Sequence, residues 1–172
     1  MSGFKNIELN QLLKQDIFEE MIDFIFVSIE QMKKDLLLKK EKLENKEEKI
    51  RTHLLENYLN NSKFKQKVKF ENLYLIFNAE VVEGYKEENE EYIGRVDIKV
   101  ETINTIISNS KNYYIIECKR LDGSKQLNEK FVVEGICRFV LDKPKYSSFN
   151  NKNIMLGFIV KNINIESNID EI

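Results

Sequence analysis

The sequence predicts an α/β protein: a small mixed β-sheet flanked by helices, with a helical extension at the N-terminus. Three observations carry that expectation. From Leu9 to about Leu59 there is neither glycine nor proline, and apolar residues recur at helical spacing. Three runs of strand character follow at 73–82, 92–100 and 113–119, dense in β-branched and aromatic residues. A helical pattern over 125–141 then separates the third run from a fourth at 153–160, a spacing long enough for a parallel crossover.

The elements follow in order. Leu13, Ile17, Met21, Ile22, Ile25, Ile29, Met32 and Leu36 share a helical stripe. Between Lys33 and Arg51 the chain becomes a mixed charge run, predicted as a solvated helix or a short coiled-coil arm. The face over residues 17–32 is richer than a lone surface helix needs, so it would cover the domain, or meet a second copy or a partner protein. The extension is assigned to residues 1–45 and the main domain to 46–172. Glu47 to Leu59 reads as an amphipathic helix with Ile50, Leu54 and Tyr58 on one side, ended by Asn60-Asn61-Ser62 and followed by a lysine-rich connector.

The apolar density of 73–82 predicts a central strand. Residues 83–91, with Gly84 and many glutamates, predict an exposed loop or hairpin tip. In 92–100, Ile93, Arg95, Asp97 and Lys99 alternate with Val96, Ile98 and Val100, which puts Asp97 on the polar side of a half-buried strand. Residues 121–124 predict a turn. In the helix that follows, Leu127, Phe131, Val132, Ile136, Phe139 and Val140 are expected inward, and Pro144 closes it. Residues 153–160 predict a buried strand, and the tail from Lys161 a frayed end with no helix.

At 172 residues the chain has the size of one domain. A net charge of −2 gives no global nucleic-acid signature, so any polyanion must meet a local patch. Arg120, Lys125, Arg138 and Lys145 belong to a stretch where bases outnumber acids and offer that patch, although Arg138 is first expected to pair with Glu134 along its helix. Cys118 and Cys137 read as free thiols of a reducing compartment. With no apolar leader and no span of about 20 apolar residues, the expected location is cytoplasmic and not membrane-bound. His53 is the lone histidine, which excludes histidine-based triads and zinc clusters.

The chemistry concentrates at Tyr113-Tyr114-Ile115-Ile116-Glu117-Cys118-Lys119, an apolar strand that ends in charge. Alternation sends Glu117 and Lys119 to one face and Cys118 to the other. Alone, the pair reads equally well as an ordinary ion pair. Joined to Asp97 on the preceding strand, it becomes a hard-oxygen site of the kind Mg²⁺ prefers, with a lysine beside it.

Glu47 on a helix, Asp97 on a strand and Glu117-Cys118-Lys119 on the next resemble the PD-(D/E)XK, or restriction-endonuclease-like, nuclease superfamily. Glu47 with Ile50 and Leu54 is similar to the opening helix of archaeal-type Holliday-junction resolvases. Glu117 to Leu121, Glu134 to Phe139 and Lys145 to Ser147 resemble members from prokaryotic phage defence and mobile elements. The resemblance spans roughly residues 45 to 160, and Val96 stands where the name motif has proline. It implies a restriction-endonuclease-like fold and Mg²⁺- or Mn²⁺-dependent hydrolysis of DNA. Asp97 and Glu117 would bind the metal, Glu47 would complete its shell, and Lys119 would assist the attacking water. It also admits an inactivated member that serves as an interaction or assembly module.

Overall fold

The computed structural model describes residues 3–70, 75–86, 91–102, 113–140, 145–146 and 148–170. Along the chain it contains α1 (Gly3–Lys39), α2 (Glu47–Leu54), α3 (Ser62–Lys67), β1 (Leu75–Lys86), β2 (Glu91–Thr102), β3 (Tyr114–Leu121), α4 (Lys125–Phe131), α5 (Cys137–Val140), β4 (Asn153–Ile159) and α6 (Ile165–Asp170). Wide π-helical turns extend α2 over Leu55–Leu59 and join α4 to α5 over Val132–Ile136. Contacts divide the chain into two compact units, Met1–Lys42 with His53–Leu73, and Leu43–Thr52 with Tyr74–Ile172. No helix among the described residues is long and apolar enough to cross a membrane.

The first unit is helical. Met21, Phe24, Ile25 and Met32 of α1 are buried together with Leu55, Tyr58, Leu59 and Phe64, so the apolar face of residues 17–32 has partners in its own chain. The charge run after Lys33 is not one helix. The Lys40 N–H donates to the Leu37 carbonyl and the Glu41 N–H to the Leu36 carbonyl, with Lys40 at φ 53. That is a left-handed helix stop of the Schellman type. The lysine-rich connector after Ser62 contains α3, capped by the Asn61 side chain on the Phe64 N–H at 3.0 Å. It ends in the same way, with Lys69 at φ 56 and the Phe70 N–H on the Lys65 carbonyl. The stop turns Phe70 onto Phe24, the rings stacked 4.0 Å apart.

Tyr58 donates its hydroxyl to Asp35 at 3.0 Å, and burial followed by that bond and the Asp35 charge push the phenol up to about 12. Tyr58→Phe should therefore cost about 1 kcal/mol. Thermal melting would read this as a fall of about 2–4 °C in a chain of this length.

The second unit carries one four-stranded mixed sheet in the order β1-β2-β3-β4. β1 and β2 form an antiparallel hairpin, β3 adds antiparallel to β2, and β4 lies parallel to β3 after the helical crossover. The mixed α/β architecture and the parallel crossover are as the sequence predicts. Other expectations need correction. β1 is an edge strand and not a central one. Much of 83–91 is strand, because both hairpin arms extend to Lys86 and from Glu91; the intervening tip lies outside the described residues. β4 is only partly buried, Val140 is exposed, and the tail forms α6. The α6 helix is tied to α4 by reciprocal amide bonds between buried Asn128 and Asn168, at 2.8 and 3.2 Å. The expected closure by Pro144 falls outside the described residues.

Burial runs through the sheet: Val96, Ile98, Val100, Ile115 and Ile116 are all sealed from solvent. Ile98 and Val100 stand opposite Ile116 and Tyr114, whereas Val96 joins a cluster with Tyr113, Ile115 and Tyr146. The pairing of β2 with β3 runs from Val100 to Ile98. Beyond it, the Cys118 N–H donates to the Asp97 carboxylate at 2.8 Å. A side chain thus takes a strand N–H at the place where charge enters the sheet.

Candidate functional site

The second unit gathers Glu47, Arg51, Glu80, Arg95, Asp97, Glu117, Lys119 and Arg138 into one ion-pair network. Its centre is Lys119. The Nζ lies 2.9 Å from Glu117 Oε1, 3.6 Å from Glu47 Oε1 and 3.7 Å from Asp97 Oδ2, and it donates to the Cys118 carbonyl at 3.0 Å. Alternation along β3 and the proximity of β2 account for the first and third distances; helical phase on α2 accounts for Glu47.

Glu117 is the deepest member, only 1% exposed. Its Oε1 accepts from Lys119 and from Arg138 Nη1, while its Oε2 is buried without a partner. Burial first, and the Asp97 charge second, push the Glu117 carboxyl above the usual range against the pull of Lys119 and Arg138. Burial alone would lower the Lys119 ammonium. The hydrogen bond to Glu117 and the charges of Glu117, Asp97 and Glu47 outweigh it and carry Lys119 upward, so it stays protonated.

Arg138 does not pair with Glu134. The π turn at Val132–Ile136 widens the helix just before it and rephases the residues that follow, so Arg138 meets Glu117 while Glu134 is exposed. Gly135 sits in that turn against the flexible end of Met155, which a β-carbon there would push aside. The other expected phosphate contacts differ in their surroundings, and Lys145 adjoins Arg138 through its N–H on the Arg138 carbonyl at 2.8 Å. Arg120 donates to the Asn45 carbonyl and side chain at 2.5 and 3.0 Å, Lys125 is exposed at the start of α4, and Lys145 is exposed beside Tyr146. Tyr146 itself is buried and donates to the Arg95 carbonyl at 3.1 Å, two residues before Asp97. The Cys118 thiol is fully buried and pushed well up by desolvation, so only its backbone takes part.

Three members, Arg51, Glu80 and Arg95, had escaped sequence reasoning. Arg51, 4% exposed, places Nη1 2.5 Å from Asp97 Oδ1 and Nη2 on Glu80 Oε1, and its Nε is buried without a partner. The signal for it was phase, since Arg51 lies four residues after Glu47 on the same helix. Glu80 also accepts from Arg95 at 3.0 Å. It sits at φ 52 inside β1, between Ala79 opposite Ile98 and Val81 opposite Val96. A non-glycine residue in this region costs on the order of 1–3 kcal/mol, and such strain gathers at functional sites. Its signal was a lone carboxylate inside an apolar run.

The donor set suits a hard divalent cation: Asp97, Glu117 and Glu47 offer carboxylate oxygen, and Glu117 Oε2 is an orphaned acceptor. In the present arrangement guanidinium groups hold Asp97 Oδ1 and Glu117 Oε1. Among the described residues no group of three or more His, Cys, Asp or Glu side chains is arranged to hold a metal ion. Comparison of the chain with protein-family models, curated proteins and solved structures returns no match in any of the three.

Proposed function

We propose that the chain is a metal-dependent nuclease of the restriction-endonuclease-like class, hydrolysing DNA phosphodiester bonds in the cytoplasm of a prokaryote, in phage defence or mobile-element biology. The observation that carries this reading is the buried, unpartnered Oε2 of Glu117 beside a charged lysine and a second carboxylate on the neighbouring strand. Asp97 and Glu117 would hold Mg²⁺ or Mn²⁺, with Glu47 completing the shell. A bound divalent cation supplies positive charge toward the scissile phosphate and lowers the pKa of its water. Lys119 is held protonated by three carboxylates, so it acts as a donor that orients the attacking water and meets developing negative charge, not as a base. Arg138, at the partly exposed rim of the network, would turn outward to a phosphate.

A second reading has an observation in its favour. Asp97 and Glu117 are each already paired with a guanidinium, as expected of a nuclease-like module whose charges only hold the fold and whose work is assembly. Calorimetric titration of Mg²⁺ and Mn²⁺ into the parent and into Asp97→Asn separates the two. The nuclease reading expects binding by the parent and at least a tenfold loss in the variant, about 1.4 kcal/mol. Absence of binding by both sinks it and leaves the assembly module.

A further inference from the structure

We infer that Glu80 is a positioning residue of this site, a receiver carboxylate that takes the Arg51 guanidinium when Asp97 turns to a divalent cation. The inference rests on the nuclease reading and deepens it. Arg51 and a divalent cation cannot share Asp97 comfortably, because both are positive and meet at one carboxylate. Arg51 is buried, so it cannot withdraw into water as Arg138 can. It needs a second anion within reach, and Glu80 is already bonded to its other terminal nitrogen.

Two features of the present arrangement suit that transfer. The Arg51 Nε is buried without an acceptor. A side-on pairing, with Nε and Nη2 on the two oxygens of Glu80, would satisfy it and release Asp97 Oδ1. The Glu80 oxygen needed for this is held by Arg95, whose side chain is 61% exposed and can leave for solvent at little cost. The left-handed backbone of Glu80 interrupts the regular alternation of β1 at the residue opposite Asp97, which is where such a receiver has to stand.

The test is Mn²⁺ affinity of the full chain by calorimetry, with thermal melting as a check on folding. Glu80→Gln should weaken binding about tenfold or more, the range seen when an outer partner of a metal ligand is lost. Glu80→Asn, whose residue type tolerates left-handed backbone, should repeat the loss. Adding Arg51→Gln to Glu80→Gln should return the affinity to within a few-fold of the parent, because the guanidinium that needed a receiver is gone. A purely structural role predicts the opposite, a double variant weaker than either single one. If the parent binds and Glu80→Gln binds equally well, the receiver role is wrong while the nuclease reading stands. If the parent binds no Mn²⁺, both fall together.

Discussion

On the proposed nuclease reading, Lys119→Ala will lower phosphodiester hydrolysis by about 10²–10³-fold, the usual cost of removing one preorganised donor from developing negative charge. Among the described residues, Lys119 is the one cation whose ion pairs reach Glu47, Asp97 and Glu117 together, at 3.6, 3.7 and 2.9 Å. Its ammonium is pinned in the charged form, so its removal deletes a fixed positive charge and not a titrating base. Activity in the parent should accordingly show no alkaline rise that depends on this lysine. Lys119→Arg should retain more activity than Lys119→Ala, because it keeps the charge while disturbing the geometry. The check is single-turnover cleavage of plasmid DNA under Mn²⁺. An alanine variant that cuts within twofold of the parent would falsify the assignment.

If the proposed nuclease function holds, Glu117→Gln should abolish cleavage, and in any case it should raise the melting temperature at neutral pH. The two effects have one cause. Folding raises the Glu117 carboxyl above its unfolded value, chiefly through burial, so the folded chain holds the Glu117 proton more tightly than the unfolded chain does. Stability from this group is fully present below the ordinary carboxyl value of about 4.3 and is lost as pH rises through the higher folded value. Glutamine stays neutral throughout and escapes that loss. The variant's advantage should therefore be absent near pH 4 and grow toward pH 8. Melting curves across that interval check it, and a variant that melts below the parent at pH 8 would overturn the account. Such opposition between stability and activity is expected where a buried charge is kept for chemistry.

Periodicity made the sheet readable. Val96, Ile98 and Val100 are all buried, and the helix between β3 and β4 gave the parallel crossover. Strand alternation, a local property of the chain, likewise let Asp97, Glu117 and Lys119 be gathered, whereas Glu47 entered through the resemblance. The helix stops were hidden because lysine, not glycine, occupies the left-handed position at Lys40 and Lys69. Nothing in a lysine-rich stretch marks one lysine as the residue that turns. Arg51 and Glu80 were hidden differently, because their pairing joins residues far apart in the chain and no periodicity encodes it. Arg138 was assigned to Glu134 on the assumption of a regular helix, and one π turn moved it to Glu117. The strand N–H of Cys118 taken by Asp97 had no sequence signal at all.

The sheet order also sets when this network can exist. Glu80 and Asp97 belong to the β1–β2 hairpin and can meet through local closure. Glu117 and Lys119 arrive only when β3 adds to β2, and Arg138 only when the crossover that leads to parallel β4 has docked. Pairings between distant segments are the slow part of folding, so the charges assemble late, on a sheet that is otherwise finished. A ligand that needs Asp97 and Glu117 together has nothing to bind in a half-built chain. Present at a hundredfold excess over its Kd, it would hold the completed unit folded by about 2.7 kcal/mol, so occupancy of the network would double as a proofreader of assembly.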